Sequence, residues 1–327
     1  MSAVPINDNG SRQRKRVLVA LAGLGMAGYL ALAIITDYAA IERAMSQLGP
    51  SGVALILGLS MLNYLLRFAR WHWYLRDQGY TLPWLRHCLV YLGGFLFTVS
   101  PAKAGEAVRS LYLREQGVRY ADSFAALFVE RLLDVLSYAM LASLIAFQHP
   151  QYRVFLLGVL VLGSALLLAS GHQALPRMVD RFAVSRGGRV AALASLLANL
   201  LRSSKQMLRP ALLLPGLAIG LLAWGAEGIG FHLICAGLSL DVPPMTATSL
   251  YAIAGLAGAA TFFMPGGIGG MEVVMTALLT AKGAPLALAV VATLLCRLAT
   301  LWFAVLVGLV ATGLLELSPL RHSSAQS

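Results

Sequence analysis

Charged side chains interrupt the apolar stretches of this chain, and their types and spacing suit the binding of an ion or a polar ligand. Glu130, Arg131 and Asp134 lie in one such stretch, and Arg297 lies in another. Glu130 and Asp134 are four residues apart and share one helix face, whereas Arg131 lies about 100° around the helix from Glu130. One interpretation is a structural ion pair that locks neighbouring helices. The other is a polar site between helices.

A break followed by a glutamate and then an arginine occurs twice. The first copy is Pro101–Glu106 followed by Arg131, and the second is Pro265–Glu272 followed by Arg297; in both, the arginine comes 25 residues after the glutamate. In both, a glycine stands four residues after the proline. A helix that restarts after such a break presents free N–H groups and the positive end of its dipole, which favour an anion. The spacing therefore predicts that two arginines meet at an anion site.

The predicted site binds a phosphate group, since a guanidinium donates paired N–H groups to phosphate. Glycines in the second break allow the ligand to approach the backbone closely. Arg109 is expected nearer the cytoplasmic mouth, and Glu106, Glu130 and Glu272 are expected to hold the arginines in the empty site or to carry protons. The candidate binding residues are Arg131, Arg297, Arg109, Glu106, Glu130, Asp134, Glu272, Gly266, Gly267, Gly269 and Gly270.

For other polar residues, a structural role is the preferred interpretation. Glu227 lies close to Gly225, Gly228 and Gly230 in its apolar stretch, and glycines are typical of a helix-packing interface. The segment Arg67–Arg76 mixes cations with aromatic residues, and we interpret it mainly as an interfacial anchor, with ligand capture as the alternative. Scattered histidines and the lack of a P-loop or a catalytic triad in the sequence predict no metal centre, no nucleotide site and no cofactor.

These residues need a membrane fold to position them. Of 327 residues, 58% are hydrophobic and only 12% are charged, and the mean hydropathy is +0.75, whereas an average soluble domain is about 25% charged. This composition excludes an ordinary soluble enzyme and predicts an all-α polytopic membrane protein. The net charge of +11 is interpreted as a sign of membrane topology, with no nucleic-acid partner.

Six apolar runs are interpreted as full spans, and two further runs do not fit as simple spans: one is only 12 residues long and is ended by Pro101, and the other is broken at the proline and glycines of 265–270. Full spans are predicted at 17–36, 51–66, 121–147, 154–171, 211–236 and 285–315, with re-entrant or broken segments at 89–100 and 249–281. With a cytoplasmic N-terminus, twenty Lys and Arg residues fall on the cytoplasmic side and three on the outer side. In this topology the two breaks enter from opposite faces, so the repeat is inverted.

The organisation expected is one integral membrane domain at 17–315, between a basic N-terminal tail at 1–16 and a C-terminal tail at 316–327. Both tails are expected in the cytoplasm, and the protein is expected in the cell inner membrane. The connection at 172–210 contains an amphipathic helix flanked by basic residues. That helix either lies on anionic lipid at the cytoplasmic face or packs under the bundle.

Four segments carry a resemblance to a known family: Asn63–Trp71, Pro101–Arg109, Val129–Asp134, and Pro265–Glu272 with Arg297. They resemble the lysylphosphatidylglycerol synthase transmembrane-region family, also called flippase-like or UPF0104 membrane proteins, over roughly residues 15–315. One departure is Ala102-Lys103, where the family pattern has a glycine-arginine pair. The resemblance implies lipid movement, of a phospholipid or polyprenyl-phosphate type, and the cytosolic synthase domain and its activity are not expected.

Three functions compete at this point. The preferred one is a lipid translocator, in which a headgroup passes through a polar cavity between two inverted halves. The second is a non-transporting partner of an enzyme in a lipid, hopanoid or polyprenyl-sugar pathway. The third is a lipid-modifying transferase, which the lack of a recognisable catalytic motif disfavours. The sequence leaves open the lipid, the direction and energy source of transport, and the oligomeric state.

Overall fold

The computed structural model describes residues 8–98, 108–147, 188–261 and 269–317, and a few residues between 153 and 179. Within these ranges every regular element is helical. Most of the predicted span 154–171 lies outside the described residues, and so do Glu106, Gly266 and Gly267.

The helices follow one another in a simple order. Their bounds are α1 Asp8–Asp77, α2 Trp84–Gly93, α3 Val108–Arg114, α4 Tyr120–Ser143, α5 Gly188–Met207, α6 Pro210–Gly237, α7 Pro244–Ala260, α8 Gly270–Ala281, α9 Leu286–Arg297 and α10 Phe303–Leu317. Two 3-10 turns, Gly94–Phe97 and Leu144–Phe147, follow α2 and α4, and a π turn, Leu298–Trp302, joins α9 to α10.

The first two predicted spans belong to one long helical run, α1, with two kinks. Its backbone leaves the helical region at Asp37 and at Gly49, where φ is +59°, and Pro50 follows. Proline at the start of a helical stretch loses no hydrogen bond, since its N–H would have had no helical partner. The helix continues past the predicted end of the second span at residue 66, to Asp77.

Among the described residues, three helical stretches are long and apolar enough to cross a membrane: Ile34–Asp77, Pro210–Gly237 and Leu286–Leu317. The predicted third span corresponds to α4, whose central charges lower its apolar character. Large apolar side chains such as Leu222 and Val310 face outward, 65% and 62% exposed, while several arginines are buried. This distribution is the reverse of that in a soluble protein. The chain is therefore an all-α membrane protein, and the count of six spans stays a prediction.

One order of elements occurs twice, in support of the predicted repeat. The last stretch of α1 is followed by Pro83, α2, an interruption, α3 and α4; α6 is followed by Pro243, α7, an interruption, α8 and α9. Tyr91 and Tyr251 each come eight residues after these prolines. The opposite membrane orientation of the two copies stays a prediction.

Buried apolar side chains form two main clusters. One lies around α1, α2 and α4 and includes Leu133, and the other lies mainly around α6 to α9 and includes Met275. Close packing rather than the hydrophobic effect holds helices together in lipid, so small residues matter at the contacts. At Gly228 an added Cβ would stand 2.8 Å from Thr248 on α7. The prediction that glycines of α6 serve helix packing is thus confirmed at Gly228.

The basic connection contributes α5, which packs against α4. Ala198 and Leu201 are buried, and the Ser203 hydroxyl donates to the Asp122 carboxylate at 2.6 Å. The alternative of a helix packed on the bundle therefore describes this segment better than a helix lying only on lipid.

Candidate functional site

The carboxylates of α4 are the centre of a buried charged cluster. Glu130 accepts hydrogen bonds from Arg67 at 2.9 Å and from the Tyr91 hydroxyl at 2.6 Å. Asp134 accepts from Arg70 at 2.6 Å and from the Trp224 indole N–H at 3.1 Å. Both carboxylates are fully or almost fully buried. Their spacing of one helical turn therefore aims both at the same set of cations, as the sequence predicted.

Arg131 contacts both carboxylates as well. Its guanidinium lies 3.4 Å from Glu130 and 3.6 Å from Asp134, and its side chain is 31% exposed. Arg131 lines the cavity described below. The other arginines that lie near Glu130 or Asp134 are more deeply buried.

Arg67 and Arg70 are site residues that the sequence interpretation missed. They are 5% and 0% exposed, and Trp71 beside them is 1% exposed, so the interpretation of these three as interfacial anchors is wrong. Arg67 also stacks over Trp224, with its guanidinium carbon 4.9 Å from the ring centre. The useful signal was their spacing: three residues apart, they share one face of a helix that extends well beyond them.

Arg109 is buried rather than at a mouth. It is 1% exposed, and its guanidinium carbon lies 3.9 Å from the centre of the Tyr91 ring and near Phe95. In the part of the chain that the structure describes, its guanidinium nitrogens make no hydrogen bond, and its nearest carboxylate is Glu130 at 3.7 Å. An aromatic face attracts a cation, which compensates for part of its desolvation.

The second break supplies a matching ion pair. Arg297 donates to Glu272 at 2.8 Å, and Glu272 also accepts from the Tyr29 hydroxyl at 2.6 Å. Its other oxygen accepts the backbone N–H of Gly269 at 2.8 Å, at the start of α8. The carboxylate therefore fixes the start of α8, holds Arg297 and connects both to α1. The predicted pairing of Glu272 with the arginine 25 residues later is confirmed.

The two described glycines of the second break, Gly269 and Gly270, have conformational and packing roles. Gly269 has φ of +99°, a conformation that favours glycine. A Cβ on Gly270 would stand 2.3 Å from the Thr261 hydroxyl, so this position holds the two sides of the break together. Neither glycine is among the described residues that line the cavity.

A π turn follows Arg297 directly. Turns of this kind are rare and occur frequently at functional sites. Here the carbonyl of Thr300 within the turn accepts the hydroxyl of Tyr64 on α1. The turn therefore links Arg297 to the helix that carries Arg67.

A cavity of about 410 Å³ lies between the two repeats and collects residues of both. Arg67 and Arg131 come from the first copy, and Arg297 from the second. The predicted convergence of Arg131 and Arg297 on one space is what the structure shows. The rest of the wall is mostly apolar and aromatic, and includes Phe95, Leu127, Tyr138, Trp224, Tyr251 and Leu301.

Glu227 also lines this cavity, although the sequence favoured a packing role for it. Its side chain is 4% exposed, and it accepts a hydrogen bond from the Tyr251 hydroxyl. The signal for a site was the carboxylate itself at the middle of an apolar span, which needs a partner or a function. Neighbouring glycines obscured that signal, because Glu227 and Gly228 serve different sides of α6.

Arginines outnumber carboxylic acids in the region. Five described arginines and four described acids lie in or against the cavity: Arg67, Arg70, Arg109, Arg131 and Arg297, with Glu130, Asp134, Glu227 and Glu272. The excess of positive charge in a low-dielectric space favours an anion. Within the described residues, no group of His, Cys, Asp and Glu side chains is arranged to hold a metal ion.

The positive-inside count changes with this placement. Arg67, Arg70 and Arg109 were assigned to cytoplasmic pieces, but they are buried in the bundle. Without them, seventeen basic residues remain on the predicted cytoplasmic side against three outside. The predicted orientation keeps its support from the remaining charges.

Fold and site together define a polytopic helical membrane protein with a cationic cavity between two structural repeats. Comparison with known proteins identifies the family. The model of the lysylphosphatidylglycerol synthase transmembrane region matches residues 17–308, and the chain belongs to this family.

Two curated relatives have informative names. The UPF0104 membrane protein PH1989 of Pyrococcus horikoshii is 26% identical over 316 residues, which cover 86% of this chain and 93% of that protein. The glycosyltransferase AglD of Haloferax volcanii is 33% identical over 144 residues, which cover 41% of this chain and 22% of that protein. No solved structure matches the chain with significance.

Proposed function

We propose that the protein is a lipid translocator that moves a phosphate-bearing headgroup through the cavity between its two repeats. The observation that carries the proposal is the meeting of Arg131 and Arg297, one from each repeat, in one cavity. Each arginine contacts a carboxylate. A phosphate that enters replaces those carboxylates as a partner, because guanidinium groups bind phosphate through paired N–H donors.

The cavity suits a headgroup rather than a whole lipid. Its volume of about 410 Å³ lies within the range of small-molecule pockets. The acyl chains stay in the apolar interior of the bilayer, so no free energy is needed to move them out of it. Only the polar headgroup crosses through the charged cavity. In this proposal Arg131 and Arg297 bind the phosphate, and Glu130 and Glu272 balance their charge as the cavity opens to each side in turn. Arg67 joins them as a third cation.

The setting proposed for this activity is the cell inner membrane, with both termini in the cytoplasm. The substrate class is a phospholipid or a polyprenyl-phosphate type lipid, and the basic face beside α5 meets anionic lipid. These assignments are part of the proposal, and they are supported by the family and by the distribution of basic residues.

A second candidate is a membrane partner for a lipid-pathway enzyme. The similarity to part of a protein named a glycosyltransferase favours it, since that match covers 22% of the relative. In this case the arginine clusters are structural, and function depends on the outer surface. A transferase activity in the chain itself has less support, because the described residues that line the cavity are chiefly arginines, acids and apolar or aromatic side chains without an arranged nucleophile.

Native mass spectrometry of the protein from mild detergent tests the proposal first. The wild type is compared with the Arg131→Ala/Arg297→Ala variant, and a double variant at exposed positions, Arg43→Ala/Arg76→Ala, is the matched control. We expect one lipid class enriched on the wild type and the control and lost from the cavity variant. Equal, non-selective lipid on all three would make the cavity arginines structural and favour the partner function.

A transport assay extends the test. Each protein is reconstituted with a labelled phospholipid, and the exposure of the label at the outer leaflet is followed with an impermeant quencher. We expect Arg131→Ala alone to lower the rate at least about tenfold, since each lost charge-assisted contact costs about 1.5–3 kcal/mol. Normal transport by folded Arg131→Ala protein refutes its role. Incorporation of labelled substrate into lipid by the pure protein would instead show a transferase.

A further inference from the structure

Glu227 differs from the other buried carboxylates in its partners. Glu130, Asp134 and Glu272 each have an arginine within 2.9 Å. Glu227 is as deeply buried, yet within the described part of the chain its one hydrogen bond is from Tyr251, and it forms no ion pair. A carboxylate at membrane depth without a paired cation is unfavourable in its charged form.

The groups around Glu227 come from every helix that packs against α6. They are Tyr64 and Arg67 on α1, Arg131, Asp134 and Tyr138 on α4, Tyr251 on α7, and Cys296 and Arg297 on α9. Each of the three arginines already contacts another carboxylate: Arg67 and Arg131 contact Glu130, and Arg297 contacts Glu272. Among the described acids of the cavity, Glu227 is therefore the one whose charge the protein compensates least.

We propose that Glu227 is a proton site that loads together with an anionic headgroup, so that one proton accompanies each singly charged lipid. This inference rests on the proposed transport function and names its energy source. An anion in the cavity repels the negative form of Glu227 and so strengthens its hold on a proton. By reciprocity, a proton on Glu227 strengthens the binding of the anion by the same factor.

The step is a simple transfer that balances in charge. A proton passes from water on the side to which the cavity is open to a carboxylate oxygen of Glu227, and it leaves to water on the other side after the cavity has reopened there. A phosphodiester headgroup with one negative charge and one proton together carry no net charge. Transport of such a lipid therefore responds to a pH gradient and not to membrane voltage.

Binding tests the proton site without any transport. Dioleoylphosphatidylglycerol is titrated into detergent-solubilised wild type, Glu227→Gln and the exposed control Glu42→Gln at about pH 6 and about pH 8. Glutamine mimics the protonated acid in size and keeps an oxygen for Tyr251. We expect wild type and control to bind more tightly at the lower pH, by at most about tenfold per pH unit. We expect Glu227→Gln to bind tightly at both. Equal pH dependence in all three proteins, or none in the wild type, overturns the proposal.

Transport tests the coupling. Vesicles of phosphatidylcholine hold the protein and a labelled phosphatidylglycerol, and a pH gradient is imposed with the voltage clamped by potassium and valinomycin. We expect the gradient to accelerate movement of phosphatidylglycerol by the wild type, to have no effect with Glu227→Gln, and to leave a labelled phosphatidylcholine unaffected, since it has no net charge. A wild-type rate that ignores the gradient refutes coupling while translocation stands.

The two proposals fail in different ways. A wild type that moves neither lipid refutes translocation, and with it the coupling, whereas pH-dependent binding that Glu227→Gln abolishes would still show the proton site. An unchanged gradient response in an active Glu227→Gln protein refutes Glu227 as the proton carrier and leaves the translocator intact.

Discussion

Glu130 is expected to be the most sensitive single position for stability. It is fully buried and lies within 4 Å of Arg67, Arg109 and Arg131, at 2.9, 3.7 and 3.4 Å. Glu130→Gln keeps the shape but removes the charge, so the buried Arg67 and Arg109 and the partly exposed Arg131 lose the carboxylate they share. Loss of one partner from a buried pair costs about 3–5 kcal/mol, because the remaining charge is left uncompensated. Asp134, 3.6 Å from both Arg67 and Arg131, relieves part of this cost, so we expect about 3 kcal/mol.

The assay is the free energy of unfolding in mixed micelles, measured by titration with a denaturing detergent. The exposed change Glu42→Gln is the control and should stay within about 0.5 kcal/mol of the wild type. A double-mutant cycle with Arg67→Met separates the pair from its surroundings, and we expect a coupling of about 0.5–3 kcal/mol. A loss below about 1 kcal/mol for Glu130→Gln, or full additivity with Arg67→Met, would contradict the view that Glu130 compensates the cluster.

Three further predictions concern the free energy of unfolding: one tests a helix contact, one a backbone conformation and one a surface ion pair. Gly308→Ala places a Cβ 2.3 Å from the backbone of the first 3-10 turn and should lower the free energy of unfolding by about 1–3 kcal/mol. Gly313→Ala, with open space around it, should leave that free energy unchanged or raise it by up to about 1 kcal/mol. Equal effects of the two changes would show that the close contact at Gly308 is absent. Gly269→Ala forces alanine to a φ of +99° and should cost about 1–2 kcal/mol, and no loss would place this backbone elsewhere. Asp77→Asn removes a half-exposed ion pair with Arg209 and should cost less than about 1 kcal/mol and only at low salt; a larger, salt-independent loss would show a buried pair.

The sequence was sufficient for the fold class and for part of the site. Apolar composition and helix length predict membrane spans, and the bounds of α4 and α6 agree with the predicted spans to within a few residues. The repeated distance of 25 residues from glutamate to arginine predicted both the Glu272–Arg297 pair and the convergence of Arg131 and Arg297. The distance of 25 residues predicts these contacts because each such interval connects helices of the same repeat.

The remaining site residues could not be predicted from the sequence, because their roles depend on where a helix ends and on which helix packs against it. The sequence favours an interfacial anchor for Arg67 and Arg70, because arginines and aromatic residues after an apolar run usually mark the membrane surface. Only the position of α4 shows that their face of α1 meets two carboxylates. Glu227 required the same kind of information, because its partner Tyr251 is 24 residues away on another helix. The periodicity of the residues along one helix does not predict which side chains of another helix it contacts.

The π turn at Leu298–Trp302 has a consequence for how the last helix is compared between relatives. A π turn contains one residue more than an α turn, so it rotates all of α10 by about 100° relative to Arg297. A relative with an uninterrupted α-helix here must be one residue shorter between Arg297 and Phe303 if Arg297 and Gly308 are to keep their respective neighbours. A single-residue gap at this point of an alignment therefore reflects a difference in helical phase. An alignment that omits this gap would assign the wrong contacts to the residues of α10.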